Sequence, residues 1–270
     1  MARPASFLDV ATAVFFHAHP DDEAIATGGT MAKMASEGHR VVLVTATRGE
    51  LGETPPGSVA PGETLADARE RELDAACRIL GVTRREFLGY RDSGMAGEPT
   101  NEDASCFWKA DVEEASAKLA SLLVEENADV FTTYDEHGGY GHPDHIQVHR
   151  VGIRAAELAG TPAVYMATQN RDAVLELMDR AEELGVEPPS ADGLDVDHFG
   201  EPASRITNAV DVSGFLGEKK DAMRAHASQI ADSSFFLSMT DEVFALVWGT
   251  EWYIKVGSPP LTEMSASLLG

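Results

Sequence analysis

Along the first 185 residues, short runs rich in β-branched and aromatic residues alternate with longer stretches of helical period. This alternation restricts the fold more than any other feature of the chain. Thr12 to Ala18, Arg40 to Thr45, Arg85 to Leu88, Val130 to Thr133 and Ala163 to Thr168 read as strands. Helical stretches cover Ala24 to Glu37, Leu65 to Leu80, Ala110 to Glu126, Pro143 to Leu158 and Asp172 to Leu184, and Gly38 and Gly81 sit where the first two must stop. Strands separated by helices build βαβ units, so the expected class is α/β with a mostly parallel sheet. Asp135 to Gly141 reads as a loop, because three glycines in seven residues weaken any regular element.

Beyond Gly185 the pattern loosens through Pro188-Pro189-Ser190, recovers at Ile206 to Val210, and supports one more helix over Val212 to Ala227. Phe235-Phe236 and Trp248 to Ile254 predict a C-terminal extension that packs on the sheet. A length of 270 residues is long for one α/β domain and short for two. The reading is therefore one domain over 1–270, with a core over 1–185 and a C-terminal section over 186–270.

With 43% hydrophobic and 24% charged residues the composition is that of a soluble globular protein. Apolar runs such as Val41 to Val44 are too short to span a bilayer, and no secretory leader is read at the N-terminus, so the cytoplasm is the expected compartment. A formal net charge of -24 argues against nucleic acid and against anionic membranes as partners, since both require a basic footprint. Two cysteines make neither a disulfide framework nor a Cys-rich metal site. A homo-oligomer is compatible with the sequence.

The chemistry-bearing residues stand at two strand ends, where ligands collect in open α/β sheets. His19-Pro20-Asp21-Asp22-Glu23 follows the first strand, and Tyr140-Gly141-His142-Pro143-Asp144-His145 follows the fourth. His19 and Asp22, three residues apart at a turn into a helix, can aim at one point, with His145 as a third ligand. Two imidazoles and a carboxylate suit Zn²⁺ or Fe²⁺ and leave a position open for water. Asp21 is then the candidate base, His142 the candidate acid with Asp144 to orient its ring and hold it protonated, and Tyr140 the hydroxyl for a developing oxyanion. Either motif alone reads as a helix-start cap; two of them, one behind a Gly-rich loop, do not. Gly28-Gly29 reads as helix packing, His17 as a satisfied core histidine or one that supports the site from behind, and His149 as a surface histidine or another such support.

Together His19 to Glu23 and His142 to His145 resemble the paired motifs of the PIG-L/LmbE-like family of metal-dependent N-deacetylases. The resemblance extends to Thr47-Arg48-Gly49-Glu50, Arg69-Glu70-Arg71-Glu72-Leu73, Arg91-Asp92-Ser93-Gly94-Met95, Tyr134-Asp135 through Tyr140, and Ala225-His226-Ala227-Ser228-Gln229. It implies a Rossmann-like three-layer α/β/α sandwich that hydrolyses the acetamide of an amino-sugar conjugate, with N-acetylglucosaminyl-inositol as the expected substrate type. It also implies metal ligation by His19, Asp22 and His145, and binding of sugar or inositol hydroxyls by Arg69 and Asp92, although those two could instead pair with each other. The alternatives are a thiol-conjugate amidase of the mycothiol type, a deacetylase of a glycosylated secondary metabolite, and, from another class, a non-catalytic sugar- or metal-binding module. Ala26 stands where the amidase branch is expected to carry lysine and the deacetylase branch serine. The segment Gly185 to Gly200 is where substrate choice is expected to be made.

Overall fold

The computed structural model describes residues 10–184, 199–259 and 263–269. Seven strands form one sheet: β1 (Thr12–His17), β2 (Arg40–Thr45), β3 (Arg84–Phe87), β4 (Val130–Tyr134), β5 (Ala163–Thr168), β6 (Asn208–Asp211) and β7 (Thr250–Lys255). Their spatial order is β3-β2-β1-β4-β5-β7-β6. The first five are parallel, and β7 runs antiparallel to both β5 and β6. This is the expected α/β sandwich. Phe15 and Phe16 on the central strand point to opposite faces and are both fully buried, as they must be in a parallel sheet covered on each side.

The helices are α1 (Asp22–Ala26), α2 (Gly28–Ser36), α3 (Leu65–Leu80), α4 (Val112–Glu125), α5 (Gly138–Gly141), α6 (Pro143–Ala159), α7 (Arg171–Asp179), α8 (Ala181–Leu184), α9 (Leu216–Ala225) and α10 (Asp241–Trp248). They pack in two groups, with α2, α3 and α9 in mutual contact and α4 against α6. Local chemistry explains their ends. The Thr64 hydroxyl caps α3, and Gly81 closes it in a left-handed conformation; His142 caps α6, with Pro143 at its first position.

Several expectations need revision or refinement. The helix expected over Ala24 to Glu37 is two helices broken at Thr27, whose φ of -136° leaves the helical region. Two buried groups fill the break: Lys219 Nζ donates to Ile25 O (2.7 Å) at the end of α1, and Glu251 accepts from Gly29 N and Thr30 N (2.8 Å each) at the start of α2. Gly29 follows because a Cβ there would lie 2.5 Å from Val212 Cβ; the close approach is to the segment after β6 and falls on Gly29, since a Cβ on Gly28 would meet only ordinary contacts. Second, Gly138–Gly141 is closed by a hydrogen bond from Gly141 N to His137 O (3.0 Å), but Gly139 at φ 75° and ψ -62° is not helical, so the segment is a hydrogen-bonded turn within the expected loop. Asp135 Oδ1 accepts from His137 N and Gly139 N, and Gly138, Gly139 and Gly141 all take positive φ. Third, the C-terminal section does not pack on a finished sheet. It supplies β7 and β6, which pair the edge that β5 would otherwise leave open. Asp172 to Leu184 is likewise broken at Arg180, and the helix expected from Val212 begins at Leu216. Residues 185–198, which include Pro188 and all but the last two residues of the expected seat of substrate choice over 185–200, lie outside the described residues.

Among the described residues no helix is long and apolar enough to cross a membrane. Both cysteines are free and buried.

Candidate active site

Strand order reverses beside β1, which has β2 on one side and β4 on the other; Phe15 sits between Leu43 and Thr132. Crevices outside the carboxyl ends of strands at such a point are where α/β sheets bind ligands. Both histidine motifs leave the sheet there. Between them opens a cavity of about 700 Å³, within the size range of small-molecule sites.

His19, Asp22 and His145 converge at its floor. Asp22 Oδ2 lies 3.5 Å from His19 Nδ1, and Asp22 Oδ1 lies 3.3 Å from His145 Nε2. His145 Nδ1 is 3.2 Å from Gly138 O, to which only a protonated ring nitrogen can donate. In the neutral ring that leaves the lone pair on Nε2, a nitrogen that is buried without a hydrogen-bond partner. His19 is fixed in the complementary way: its Nε2 faces Asp144 Oδ2 at 3.2 Å and Asp92 Oδ1 at 3.6 Å, so the hydrogen belongs on Nε2 and Nδ1 is turned toward Asp22. Imidazoles whose far nitrogens are held by oxygen acceptors are prepared metal ligands. Two imidazoles and a carboxylate are donor types that suit a divalent cation.

Among the described residues, the groups around His19 whose donor atoms all lie within 4.8 Å of one another are His19 with His142 and His145, and His19 with Asp92 and Asp144; Asp22 belongs to neither. Their carboxylates also accept hydrogen bonds from the protein, as Asp22 Oδ2 does from His19 N at 2.8 Å. Asp144 receives Ser93 N at 3.0 Å and the Ser93 hydroxyl; Asp92 receives Gly94 N and Leu51 N at 2.9 and 3.1 Å. His142 Nδ1 receives Asp144 N at 3.1 Å. Burial alone would push His19 down, yet hydrogen bonds to Asp144, Asp22 and Asp92 hold its pKa well above the usual value. The same negative field favours any cation placed there.

Asp21 occupies a backbone conformation that side-chain-bearing residues rarely adopt, with φ 120° and ψ -32°. Burial pushes its carboxyl up to about 6, with Arg69 opposing and Asp22 reinforcing the shift. Arg69 Nη2 lies 3.2 Å from Asp21 Oδ1. Its remaining contacts go to Gly49 O (2.8 Å), Pro20 O (2.5 Å) and Gln229 Oε1 (3.0 Å). Arg69 thus pairs with Asp21 and not with Asp92. Its four Nη hydrogens are spent inside the protein, which leaves little for the hydroxyl binding that the resemblance implied.

Two further expectations change. The Asp144 carboxylate does not orient His142; it holds His19, and only its backbone N–H reaches His142. His142 is not held protonated either. Burial, then the neighbouring His19 and His145, push its pKa down to about 3. Tyr140 is half-exposed, with its ring 5.0 Å from that of His145 and 6.2 Å from that of His142, and burial and the nearby Asp22 raise its pKa. His17 supports the site from behind through Tyr134 Oη (2.6 Å) and Thr27 Oγ1 (2.8 Å), and His149 Nδ1 bonds Tyr134 O. Ser93, Asp135, Glu23, His226 and Gln229 also hold the site together; each lies in a stretch that carries the family resemblance, but none was expected there to have a role of its own.

The lining of the same cavity includes an apolar wall of Leu177, Met178, Phe235, Phe236, Val247 and Trp248, and also Ala26.

The profile of the family described as GlcNAc-PI de-N-acetylase (PIG-L) matches residues 14–156. A 1D-myo-inositol 2-acetamido-2-deoxy-alpha-D-glucopyranoside deacetylase of Nocardiopsis dassonvillei is 44% identical over 265 residues, covering 90% of this chain and 94% of its own. Among solved structures, N,N'-diacetylchitobiose deacetylase from Pyrococcus horikoshii is similar with a TM-score of 0.58 at 21% identity, covering 95% of this chain and 89% of its own. GalB, a 4-carboxy-2-hydroxymuconate hydratase from Pseudomonas putida, is similar at 0.61 and 20% identity over 94% and 99%, so likeness of fold alone does not select the reaction. The family match and the relative of 44% identity show the family: this chain belongs to the GlcNAc-PI de-N-acetylase family.

Proposed function

We propose that the chain hydrolyses the acetamide of an N-acetylglucosaminyl-inositol or a close conjugate, releasing acetate and a free amine, with Zn²⁺ or Fe²⁺ held by His19, Asp22 and His145. The observation that carries this reading is the unpartnered lone pair of His145 Nε2 turned toward Asp22, beside a buried carboxyl whose pKa stands near neutrality. A divalent ion in that position supplies Lewis acidity to the carbonyl and acidifies water. Asp21 takes the proton from the attacking water, which a carboxyl titrating at about 6 can do at neutral pH. Tyr140 Oη donates to the developing oxyanion. As the C–N bond breaks, His142, neutral at rest, donates from Nε2 toward the departing nitrogen, and the proton held by Asp21 ends on the amine. Asp92 accepts a substrate hydroxyl, and Arg69 anchors Asp21. A binding module would need the ligands but not the base.

The test is acetate release from N-acetylglucosaminyl-inositol by metal-loaded, chelated and Asp21→Asn protein. Turnover only in the loaded wild type supports the reading; equal turnover by chelated protein, or by Asp21→Asn, would refute it.

The apolar wall favours one second reading, an amide whose conjugate carries an alkyl or aryl group, as in a thiol-conjugate amidase. A wholly polar pseudo-disaccharide leaves Phe235, Phe236 and Trp248 uncovered. A kcat/KM for an aryl-bearing conjugate at least about 10-fold above that of the inositol conjugate would select it; each buried methylene supplies enough binding for such a gain to be visible.

A further inference from the structure

Asp21 is strained, and what holds it comes from the other end of the chain. Its N–H donates to Glu23 Oε2 at 2.9 Å. The second oxygen of that carboxylate, Oε1, lies 2.6 Å from His226 Nε2. Glu23 and His226 are both fully buried, so neither contact is shared with solvent. His226 sits at the C-terminal end of α9 and opens a tight turn, with its carbonyl accepting from Gln229 N and Ile230 N. The same turn reaches Asp21 by a second route: Gln229 Oε1 accepts from Arg69, which pairs with the Asp21 carboxylate. One turn therefore restrains the backbone and the side chain of Asp21 at once.

A helix start needs no such apparatus. Asp21 makes no side-chain cap to α1, and its φ of 120° is avoided by residues with a Cβ. Conformations of that kind persist only where the surroundings over-determine them, and they concentrate at functional positions. Relaxing the peptide would swing the carboxylate away from the point shared by His19, Asp22 and His145.

We infer that Glu23 and His226 are positioning residues for Asp21: the Glu23 carboxylate, braced by the His226 imidazole, holds the Asp21 peptide in the strained conformation that aims its carboxylate at the attacking water. This rests on the reading of Asp21 as the base.

The experiment uses the full chain loaded with Zn²⁺ and N-acetylglucosaminyl-inositol as substrate. Glu23→Ala should lower kcat about 100-fold, the loss that a misplacement of about 1 Å produces. KM should stay within about threefold and bound zinc should remain stoichiometric, since the interaction lost is felt in the transition state. Glu23→Gln should recover most of kcat. Its amide oxygen still accepts from Asp21 N–H, and its NH₂ can donate to His226 Nε2 once the ring hydrogen moves to Nδ1, which has no hydrogen-bond partner of its own. Wild-type kcat in Glu23→Ala overturns the inference, as does an equal loss in Glu23→Gln, which would make the charge and not the placement decisive. A parallel collapse of kcat, KM and zinc content would assign Glu23 to general folding and also overturn it. Should Glu23→Ala fail to fold, His226→Ala in the same assay carries the test, with a kcat loss of about 10-fold at unchanged KM expected and no loss refuting. An active Asp21→Asn would remove the base reading and this inference with it, whereas an inactive Asp21→Asn beside a fully active Glu23→Ala removes the inference alone.

Discussion

Replacing Lys219 by Met removes the charge from an ion pair inserted into a helix break. Lys219 is fully buried and Glu251 is 4% exposed. Breaking a buried pair on one side generally costs about 3–5 kcal/mol, because the surviving charge is left uncompensated. Here Glu251 keeps two backbone N–H donors, Gly29 and Thr30, at the N-terminus of α2, and Tyr253 Oη at 3.3 Å. That residual support places the cost at the lower end, about 3 kcal/mol. At about 2–4 °C per kcal/mol for a protein of this size, the melting temperature should fall by about 6–12 °C. Methionine preserves most of the stem volume, so packing loss is minor. Thermal and urea unfolding of Lys219→Met, Glu251→Gln and the double variant closes a cycle. The double variant should be more stable than the sum of the singles predicts by at least about 1.5 kcal/mol, since it buries no lone charge. Additivity within about 0.5 kcal/mol, or a Lys219→Met protein as stable as wild type, would refute the pair's structural role.

His145→Ala should lose both tightly held Zn²⁺ and turnover, checked by elemental analysis after dialysis; retained stoichiometric metal would point to one of the other clusters around His19. Gly29→Ala drives a Cβ into Val212 and should cost about 1–3 kcal/mol, most of it recovered by adding Val212→Ala, as chemical denaturation would show. Burial lowers the pKa of His17 to about 4, although Asp22 and Glu23 partly oppose the shift. The unfolded chain therefore binds a proton between about pH 6.5 and 4 that the folded chain refuses. Stability should fall across that window by up to about 3 kcal/mol, and His17→Gln should flatten that part of the pH–stability curve.

Much of the fold was legible from local periodicity, because strand and helix periods are written in consecutive residues. The five parallel strands fall within a residue or two of their expected places. Helix breaks were harder to read. The one at Thr27 depends on Lys219 and Glu251, which lie far along the chain and leave no mark on the apolar pattern around Thr27. The C-terminal strands were legible as hydrophobic runs but not as members of the sheet, since an antiparallel partner for β5 is chosen by an open edge and not by any local motif.

Within the site the division is sharper. By itself the sequence determined the residue types: two His-Pro-Asp turns, each at a strand end, with His19 and Asp22 close by spacing alone. Tertiary structure decided their partners. It set β1 beside β4, so that His145 meets Asp22. It gave the Asp144 carboxylate to His19 and not to the nearby His142, and gave Arg69 to Asp21 and not to Asp92. It also brought His226 to Glu23 across 203 residues. A side chain's spacing from its neighbours follows from backbone geometry, which the local sequence dictates. Which distant group meets it follows from the packing of whole helices and strands, which only the completed fold specifies.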